Sequence, residues 1–240
     1  RKKGSLEAKE ELLFNVNELA EGYNYYSFRG LSVSPNNKLV SFGYDTLSRR
    51  QYILQFKNLE TGEFFPEKIE DTTGSASWAS DNKTVFYTKK NPNTLRSERV
   101  FRHVLGTDPS NDQEVFFEEE EAYNTYVYKT KSEKYIVIGS YSTVATEYRI
   151  LEADNPNGAF RVFQPRKRDL EYNIAHYDTD FYILTNADKS TNFKLMKTAE
   201  SKTEQAHWVD VIPHRKEVML EDISIFKDFL VLEERSNGLN

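Results

Sequence analysis

Apolar strands that each follow a polar turn recur along the chain at a nearly constant spacing. These segments begin at Val33, Trp78, Thr130, His176 and Ile225, and successive starts lie 45, 52, 46 and 49 residues apart. A short strand precedes each turn, and in the first four units a second strand and a shorter outer strand follow. Each unit therefore contains about four antiparallel strands in the length that is typical of a β-propeller blade.

The central strand of each unit is apolar on both faces, as TVFYT, YIVIG, FYILT and FLVL illustrate. A sheet with one solvent-exposed face would alternate apolar and polar positions more regularly. A blade is covered by a neighbour on each side, so both of its faces are buried. The pattern therefore predicts an all-β fold, a fragment of a β-propeller built from antiparallel blades. Residue pairs that tolerate tight hairpin conformations predict turns at Asn36-Asn37, Thr61-Gly62, Asp81-Asn82 and Asn157-Gly158.

The repeat divides the chain into four complete blades and the first hairpin of a fifth. The predicted blades are residues 27–69, 70–120, 121–168 and 169–219, with an incomplete blade at 220–240. Residues 1–26 are predicted to form an N-terminal arm or a short helix, because helical periodicity is confined to Lys9 to Gly22. Since propellers close with a whole number of blades, we expect a piece of a longer protein, and its uncovered terminal blades predict self-association.

Composition agrees with a folded β protein and excludes several classes. The chain has 16 Phe and 15 Tyr, which suit pleated, half-buried surfaces. Its net charge of −6 argues against a nucleic-acid partner. No apolar run approaches the ~20 residues that cross a bilayer, so no membrane partner is expected. With no leader visible, a cytoplasmic location is expected, and a periplasmic one stays open because the sequence begins RKKG without Met.

Motifs for catalysis, cofactors and metals are missing. No two of the ten glycines have the spacing of G-x-S-x-G or G-x-G-x-x-G, which excludes a nucleophile elbow and a phosphate-binding loop of those types. The chain has no Cys, and His103, His176, His207 and His214 lack the spacing of a helical zinc site. A structural or surface role is favoured for these histidines. No catalytic, cofactor-binding or metal-binding residue is assigned.

Three charged or polar stretches have a functional and a structural interpretation. The acidic run Glu118 to Glu121 is either a patch that attracts basic peptides or a solvated turn between blades, and the turn is favoured. The run Arg166 to Arg168 is either an anion site or a loop facing water, and the loop is favoured. Ala153 to Gly158, ADNPNG, has too few ligands for a calcium loop and is interpreted as a turn.

Arg49 and Arg50 stand directly before the strand that begins near Tyr52. A guanidinium group at a strand entrance can bind a carboxylate or loop carbonyls at the rim of a blade. We therefore predict that Arg49 or Arg50 makes a blade-rim or interdomain contact, and we favour this role over direct contact with a substrate.

Longer motifs occur in a specific order, and several of them coincide with the repeat. They are NVNELAEGYNYYSF, SPNNK, DTLSRRQY, KNLETGE, VFRHVLGTDP, YKTKSEKYIVIGS, FQPRKRD, VIPHR and LVLEERSNGL. From about Glu10 onward, this order resembles the prolyl oligopeptidase family of serine peptidases, in particular its oligopeptidase B (protease II) group.

The resemblance implies a seven-bladed propeller that covers the active site of an α/β-hydrolase domain and admits only short peptides. It also implies cleavage after Arg or Lys, with the hydrolase domain and short basic peptides as partners. The Ser, Asp and His of the triad and most groups that recognise the basic side chain would lie in the hydrolase domain, outside this sequence. This chain alone is therefore expected to be inactive.

Two functions follow from the sequence. One is the substrate-gating propeller of a serine oligopeptidase that acts on short peptides. The other is a stand-alone propeller that binds a protein or peptide without catalysis, because the same fold serves many scaffolds. A hydrolase domain in the parent protein would distinguish the first from the second.

Overall fold

The computed structural model describes residues 1–239, and strands dominate it. The described part contains 17 β-strands and one α-helix of four residues, α1 Val16–Leu19. The strands are β1 Ser27–Val33, β2 Leu39–Asp45, β3 Tyr52–Asn58, β4 Ile69–Trp78, β5 Thr84–Lys90, β6 Ser97–Val104, β7 Gln113–Phe117, β8 Asn124–Lys129, β9 Tyr135–Tyr141, β10 Thr146–Glu152, β11 Arg161–Gln164, β12 Tyr172–Tyr177, β13 Asp180–Thr185, β14 Lys194–Ala199, β15 Val209–Ile212, β16 Met219–Ile225 and β17 Leu230–Arg235.

The strands form antiparallel meanders in which neighbours in sequence are neighbours in the sheet. Strands β8 to β11 form one four-stranded sheet, β12 to β15 form another, and β16 pairs with β17. Strands β1 to β7 form a single seven-stranded sheet. The repeated sheets confirm the predicted all-β propeller fragment.

Strand β4 joins the first two units. Near its start, Ile69 pairs with Leu54 and Thr72 pairs with Tyr52 of β3. Its second half pairs with β5, where Ala76 lies opposite Tyr87. Between these halves the register shifts, and a strand can bend at such an irregularity.

The shorter outer strand that the repeat predicts for the first unit would be EFFPEKI, residues 63–69, and it differs from the structure. In the structure, Phe64 makes only an isolated bridge with Lys57. The first half of β4 occupies the position beside β3. Pro66 lacks the N–H that a strand ladder requires, which explains why pairing stops before β4 begins.

Three glycines allow β1, β2 and β4 to approach one another. A Cβ atom on Gly43 would lie 2.3 Å from the Gly74 Cα, and one on Gly30 would lie 1.9 Å from the Gly74 oxygen. Gly74 also has φ +86°, which disfavours other residues. Glycine is therefore required at this crossing, which brings the first two units together.

The hairpin turns repeat the same backbone feature. Asn37, Asn82, Glu133 and Asp178 each stand between the first and second strands of a unit with φ between 56° and 60°. Asn and Asp tolerate this left-handed conformation better than most residues. The predicted turns at Asn36-Asn37 and Asp81-Asn82 are therefore confirmed.

Both faces of the middle strands are buried, as the sequence predicted. On β9, Val137 packs into a cluster with Phe163, Phe181 and Trp208, whereas its neighbour Ile136 packs on the other face in a cluster with Phe86. Burial of a large apolar side chain stabilises a fold by ~2 kcal/mol. Packing between successive sheets therefore stabilises the arrangement of blades.

The N-terminal segment contains a short helix within mostly irregular backbone. α1 has four residues, and none of its side chains is buried. A helix of this length has little stability of its own. The segment is held instead by Phe14, whose ring lies 4.8 Å from that of Phe42 and 5.1 Å from that of Phe28. In the described part of the chain, no helix is long and apolar enough to span a membrane.

Candidate functional site

A cavity of 870 Å³ lies where the first strands of successive sheets begin. Arg29 of β1, Ser75 of β4, Tyr126 of β8, Asn173 of β12 and Glu221 of β16 line it. The repeat thus positions one strand from each unit around a common space. Its volume is within the range of sites that bind small ligands or short peptides.

Tyrosine side chains form part of the cavity wall. The Tyr126 and Tyr148 hydroxyl oxygens are 3.1 Å apart, and the Tyr148 hydroxyl donates to Asn173 Oδ1 at 2.8 Å. Burial raises the pKa of both tyrosines, so both are neutral near pH 7. They can therefore donate and accept hydrogen bonds and pack against a ligand, but they are not ionised nucleophiles.

Part of the cavity wall carries cations, which together with the neighbouring Arg50 we call the cationic cluster: Arg29, Arg50 and Lys90. Arg29 and Lys90 line the cavity, and the Arg29 guanidinium lies 5.2 Å from the centre of the Tyr52 ring. Lys90 Nζ donates to the Arg50 carbonyl oxygen at 2.7 Å. Burial, followed by the charges of Arg50 and Arg29, lowers the pKa of Lys90. Positive charge is therefore concentrated at this wall.

The β2–β3 loop positions Arg50 through its backbone. The Asp45 carboxylate accepts hydrogen bonds from the backbone N–H of Leu47 at 2.8 Å and of Arg50 at 2.7 Å. Ser48 and Arg50 both have left-handed φ angles, 58° and 57°. A buried aspartate that binds its own loop in this way fixes the turn and directs the Arg50 carbonyl toward Lys90.

The structure places the side chains of Arg49 and Arg50 in solvent. Among residues 1–239, neither guanidinium makes a hydrogen bond or an ion pair. The predicted side-chain contact within this chain is therefore not formed, and Arg50 instead contributes backbone contacts and charge at the rim. An interdomain contact by either arginine stays a prediction.

A second charged group, which we call the paired cluster, consists of Glu118, Glu120, Glu147 and Arg166. Arg166 Nη2 lies 2.5 Å from Glu118 Oε2, and Nη1 lies 3.0 Å from Glu120 Oε1. The Arg166 guanidinium also covers the Tyr123 ring at 3.6 Å, and its backbone N–H donates to Glu147 Oε2 at 2.9 Å. The cluster joins the end of the first sheet to the second sheet.

The solvated interpretation of the acidic run was wrong at Glu118. Its side chain is only 4 % exposed, because Arg166 pairs with it. Burial alone would raise the pKa of Glu118, but the hydrogen bond and charge of Arg166 lower it. Lys167 and Arg168 are exposed, which agrees with the interpretation of their run as a loop that faces water. Two motifs that were interpreted separately therefore meet in space.

Two histidines are buried in side-chain networks. His103 Nδ1 lies 2.7 Å from Asp112 Oδ1, and Tyr87 donates to the other oxygen of that carboxylate at 2.8 Å. His176 lies 2.9 Å from the Ser132 hydroxyl and 3.2 Å from Glu200, and burial lowers its pKa despite that carboxylate.

The other two histidines lie nearer the surface. His207 is exposed, and His214 Nε2 accepts a hydrogen bond from the Asn192 backbone. The four positions agree with the structural or surface interpretation.

Sequence reasoning missed the residues that the cavity brings together. Arg29, Lys90, Tyr126, Tyr148 and Asn173 belong to no motif, and they are distributed over the units. Several of them lie near the start of the first strand of a unit. This repeated location within the unit was the one signal in the sequence from which they could have been found.

The full chain matches a known domain family. Residues 1–240 match the family described as the N-terminal β-propeller domain of prolyl oligopeptidase. The chain belongs to this family. The predicted family is thus confirmed, and the sheets described above are blades of a prolyl oligopeptidase propeller.

Curated relatives of this propeller are longer peptidases. The chain is 40 % identical to dipeptidyl aminopeptidase BI of Pseudoxanthomonas mexicana, over 97 % of its own length and 32 % of that protein. It is 26 % identical to protease 2 of Moraxella lacunata, over 97 % of the chain and 34 % of that protein. The chain thus spans about a third of the length of the curated relatives it matches.

Solved structures support the same assignment of fold. Oligopeptidase B from Leishmania major superposes with a TM-score of 0.90 at 27 % identity, covering 99 % of this chain and 33 % of that one. Oligopeptidase B from Trypanosoma brucei superposes with a TM-score of 0.87 at 26 % identity, with the same coverage of 99 % and 33 %. The arrangement of blades is therefore that of oligopeptidase propellers.

Proposed function

We propose that this chain is the gating propeller of a serine peptidase that hydrolyses short peptides after Arg or Lys. The observation that carries the proposal is the cavity around which the first strands of successive blades converge, in a chain that belongs to the prolyl oligopeptidase propeller family. The catalytic triad would belong to a hydrolase domain of the same protein.

The propeller would act as a steric filter. A ring of blades leaves space for an extended peptide but excludes a folded protein, and it encloses the peptide away from bulk water. The neutral tyrosines of the cavity wall would contact the peptide through hydrogen bonds and ring faces.

A direct test uses the full-length protein and one cleavage sequence in two contexts. A peptide of about ten residues with a single Arg should be cleaved after that residue, and a folded protein with the same segment in a surface loop should not. Cleavage at equal rates would contradict the filter. Cleavage at residues other than Arg and Lys would contradict the specificity and leave the filter intact.

A second candidate is release of dipeptides from a free amino terminus. The observation that favours it is the 40 % identity with a protein named dipeptidyl aminopeptidase BI. Acetylation of the peptide's amino terminus distinguishes the candidates, because an endopeptidase still cleaves after Arg whereas a dipeptidyl aminopeptidase loses its substrate. Mass spectrometry of the products gives the result.

The 240-residue chain by itself provides a further control. Without the hydrolase domain it should not hydrolyse the Arg peptide, and measurable hydrolysis would contradict the assignment of catalysis to another domain. If the parent protein contained no hydrolase domain, the stand-alone binding propeller would replace the peptidase proposal.

A further inference from the structure

In the described chain, the cationic cluster is not neutralised by an ion pair. Within the part of the chain that the structure describes, none of Arg29, Arg50 and Lys90 makes an ion pair. Like charges brought together beside a low-dielectric wall repel one another, and bulk solvent screens this repulsion less than it does for charges on an open surface. Such an arrangement is stabilised when an anion binds.

The nearby carboxylates of Asp45 and Asp71 already accept hydrogen bonds from other groups. Asp45 is 1 % exposed, and its two oxygens accept backbone N–H groups of its own loop. Asp71 Oδ1 accepts from the Gln51 side chain at 3.3 Å. Neither aspartate forms an ion pair with Arg29 or Lys90, and the charge of Asp45 raises the pKa of Lys90 by less than burial, Arg50 and Arg29 lower it, so the positive charge is offset only in part.

Hydroxyl groups next to the cations are also available. Ser75, Thr88 and Ser97 line the same cavity, and none of their hydroxyls has a hydrogen-bond partner among residues 1–239. A site with two cations and several free hydroxyl donors fits a small oxyanion, which accepts several hydrogen bonds at once. Glu171 and Glu221 also line the cavity, and their charges would oppose binding of an anion next to them.

We propose that Arg29 and Lys90, with the charge of Arg50 behind them, bind a carboxylate of the peptide in the cavity. This inference rests on the proposed function, because a peptide must enter the cavity for its carboxylate to be bound. The C-terminal carboxylate is the group that every unmodified peptide carries. The site would therefore favour peptides with a free C-terminus and hold that end against β1 and β5.

The test compares two forms of one substrate in the full-length protein. An N-acetylated tetrapeptide with Arg at its second position is prepared as the free acid and as the C-terminal amide. The KM of the acid should be about tenfold lower than that of the amide, as expected for a partly desolvated charge pair. In the double variant Arg29→Gln/Lys90→Gln, the KM of the acid should rise to that of the amide, whose own KM should change less than twofold.

A matched control removes the same charge elsewhere. Lys167→Gln/Arg168→Gln lowers the net charge equally on an exposed loop, and it should leave the preference for the acid unchanged. The conservative variant Lys90→Arg should retain the preference, which separates loss of charge from loss of fold. Inhibition by a tetrapeptide without Arg or Lys, again as acid and amide, gives a readout that does not depend on cleavage.

Three results would overturn the inference. Equal KM and equal inhibition for acid and amide in the wild type would mean that no carboxylate is bound. A preference that survives in Arg29→Gln/Lys90→Gln would place the carboxylate elsewhere. An equal loss of activity on both substrates in that variant would assign the cations to a contact with an acidic group of another domain. Absence of cleavage of either peptide would instead contradict the proposed function, and the inhibition assay would require another reporter reaction.

Discussion

The two arginine-containing motifs of this propeller have opposite surroundings. Arg166 of the paired cluster is enclosed by three carboxylates and an aromatic ring. Arg50 of the cationic cluster lies near Lys90, its guanidinium makes no ion pair in the described chain, and the nearby Asp45 carboxylate binds backbone N–H groups instead. Both motifs are predicted as blade-rim or loop arginines from the sequence. The comparison shows that an arginine with carboxylate partners from a neighbouring sheet links two blades. A cationic group that has no ion-pair partner is available to bind a ligand.

Breaking the paired cluster should have the largest effect on stability. Glu118→Ala leaves Arg166 partly buried without its main partner, and removal of one member of a buried pair costs about 3 kcal/mol. The free energy of unfolding from urea denaturation of the chain should fall by this amount. The control Glu119→Ala removes an exposed neighbour and should change the free energy by less than about 0.5 kcal/mol.

Acid should weaken the same cluster. Burial acts to raise the pKa of Glu118, but Arg166 outweighs it, so the folded pKa is below 4.5. The unfolded chain therefore binds more protons, and the stability from Glu118 is present above pH 4.5 and is lost as the pH falls through the folded pKa. Urea unfolding between pH 7 and pH 3 should show a shallower pH dependence for Glu118→Gln than for the wild type. Identical pH profiles would show that Glu118 does not contribute.

Removing the cationic cluster should hardly affect stability. Arg29→Gln/Lys90→Gln deletes charges that repel one another, and it also removes the Arg29–Tyr52 ring contact and the Lys90 hydrogen bond to Arg50. Because these effects oppose one another, the free energy of unfolding should stay within about 1 kcal/mol of the wild type. Because salt screens the repulsion that the variant removes, the free energy of unfolding of the variant relative to the wild type should be higher at low salt than in 0.5 M salt. A loss of 2 kcal/mol or more would mean that the cluster has a structural partner.

Alkaline titration should give the smallest effect, and its slope has the same sign as that of Glu118, because stability rises with pH in both windows. Burial and the charges of Arg50 and Arg29 lower the folded pKa of Lys90 from 10.5. Because the unfolded chain retains the proton longer, stability should rise with pH in the window between the folded pKa and 10.5. Lys90→Gln should remove this rise, and an unchanged profile would contradict the assignment.

Repeat spacing and turn chemistry were sufficient to predict most of the fold. The positions of Asn37 and Asn82 marked turns that the structure confirms, and two-sided apolar strands marked blades. The prediction failed where one strand serves two units, since nothing local to EFFPEKI shows that β4 occupies the position beside β3. Pro66 was the available signal.

The charges were predicted less well than the strands. Glu118 and Arg166 are 48 residues apart, and Lys90 meets the Arg50 carbonyl across 40 residues. The surroundings of each motif depend on how successive sheets stack and on the path of a single loop held by Asp45. A motif considered alone shows its charge but not whether that charge is neutralised.

By itself, the sequence determined the all-β repeat, the hairpin turns and the resemblance to a peptidase family. These depend on hydrophobic period and backbone preference, which act over a few residues, and on motif order along the chain. Only the tertiary structure decided that Glu118 is buried, that β4 is shared and that Arg29 and Lys90 face a common cavity. Each of these results from contact between different blades, and electrostatic energy depends on distances that packing alone determines.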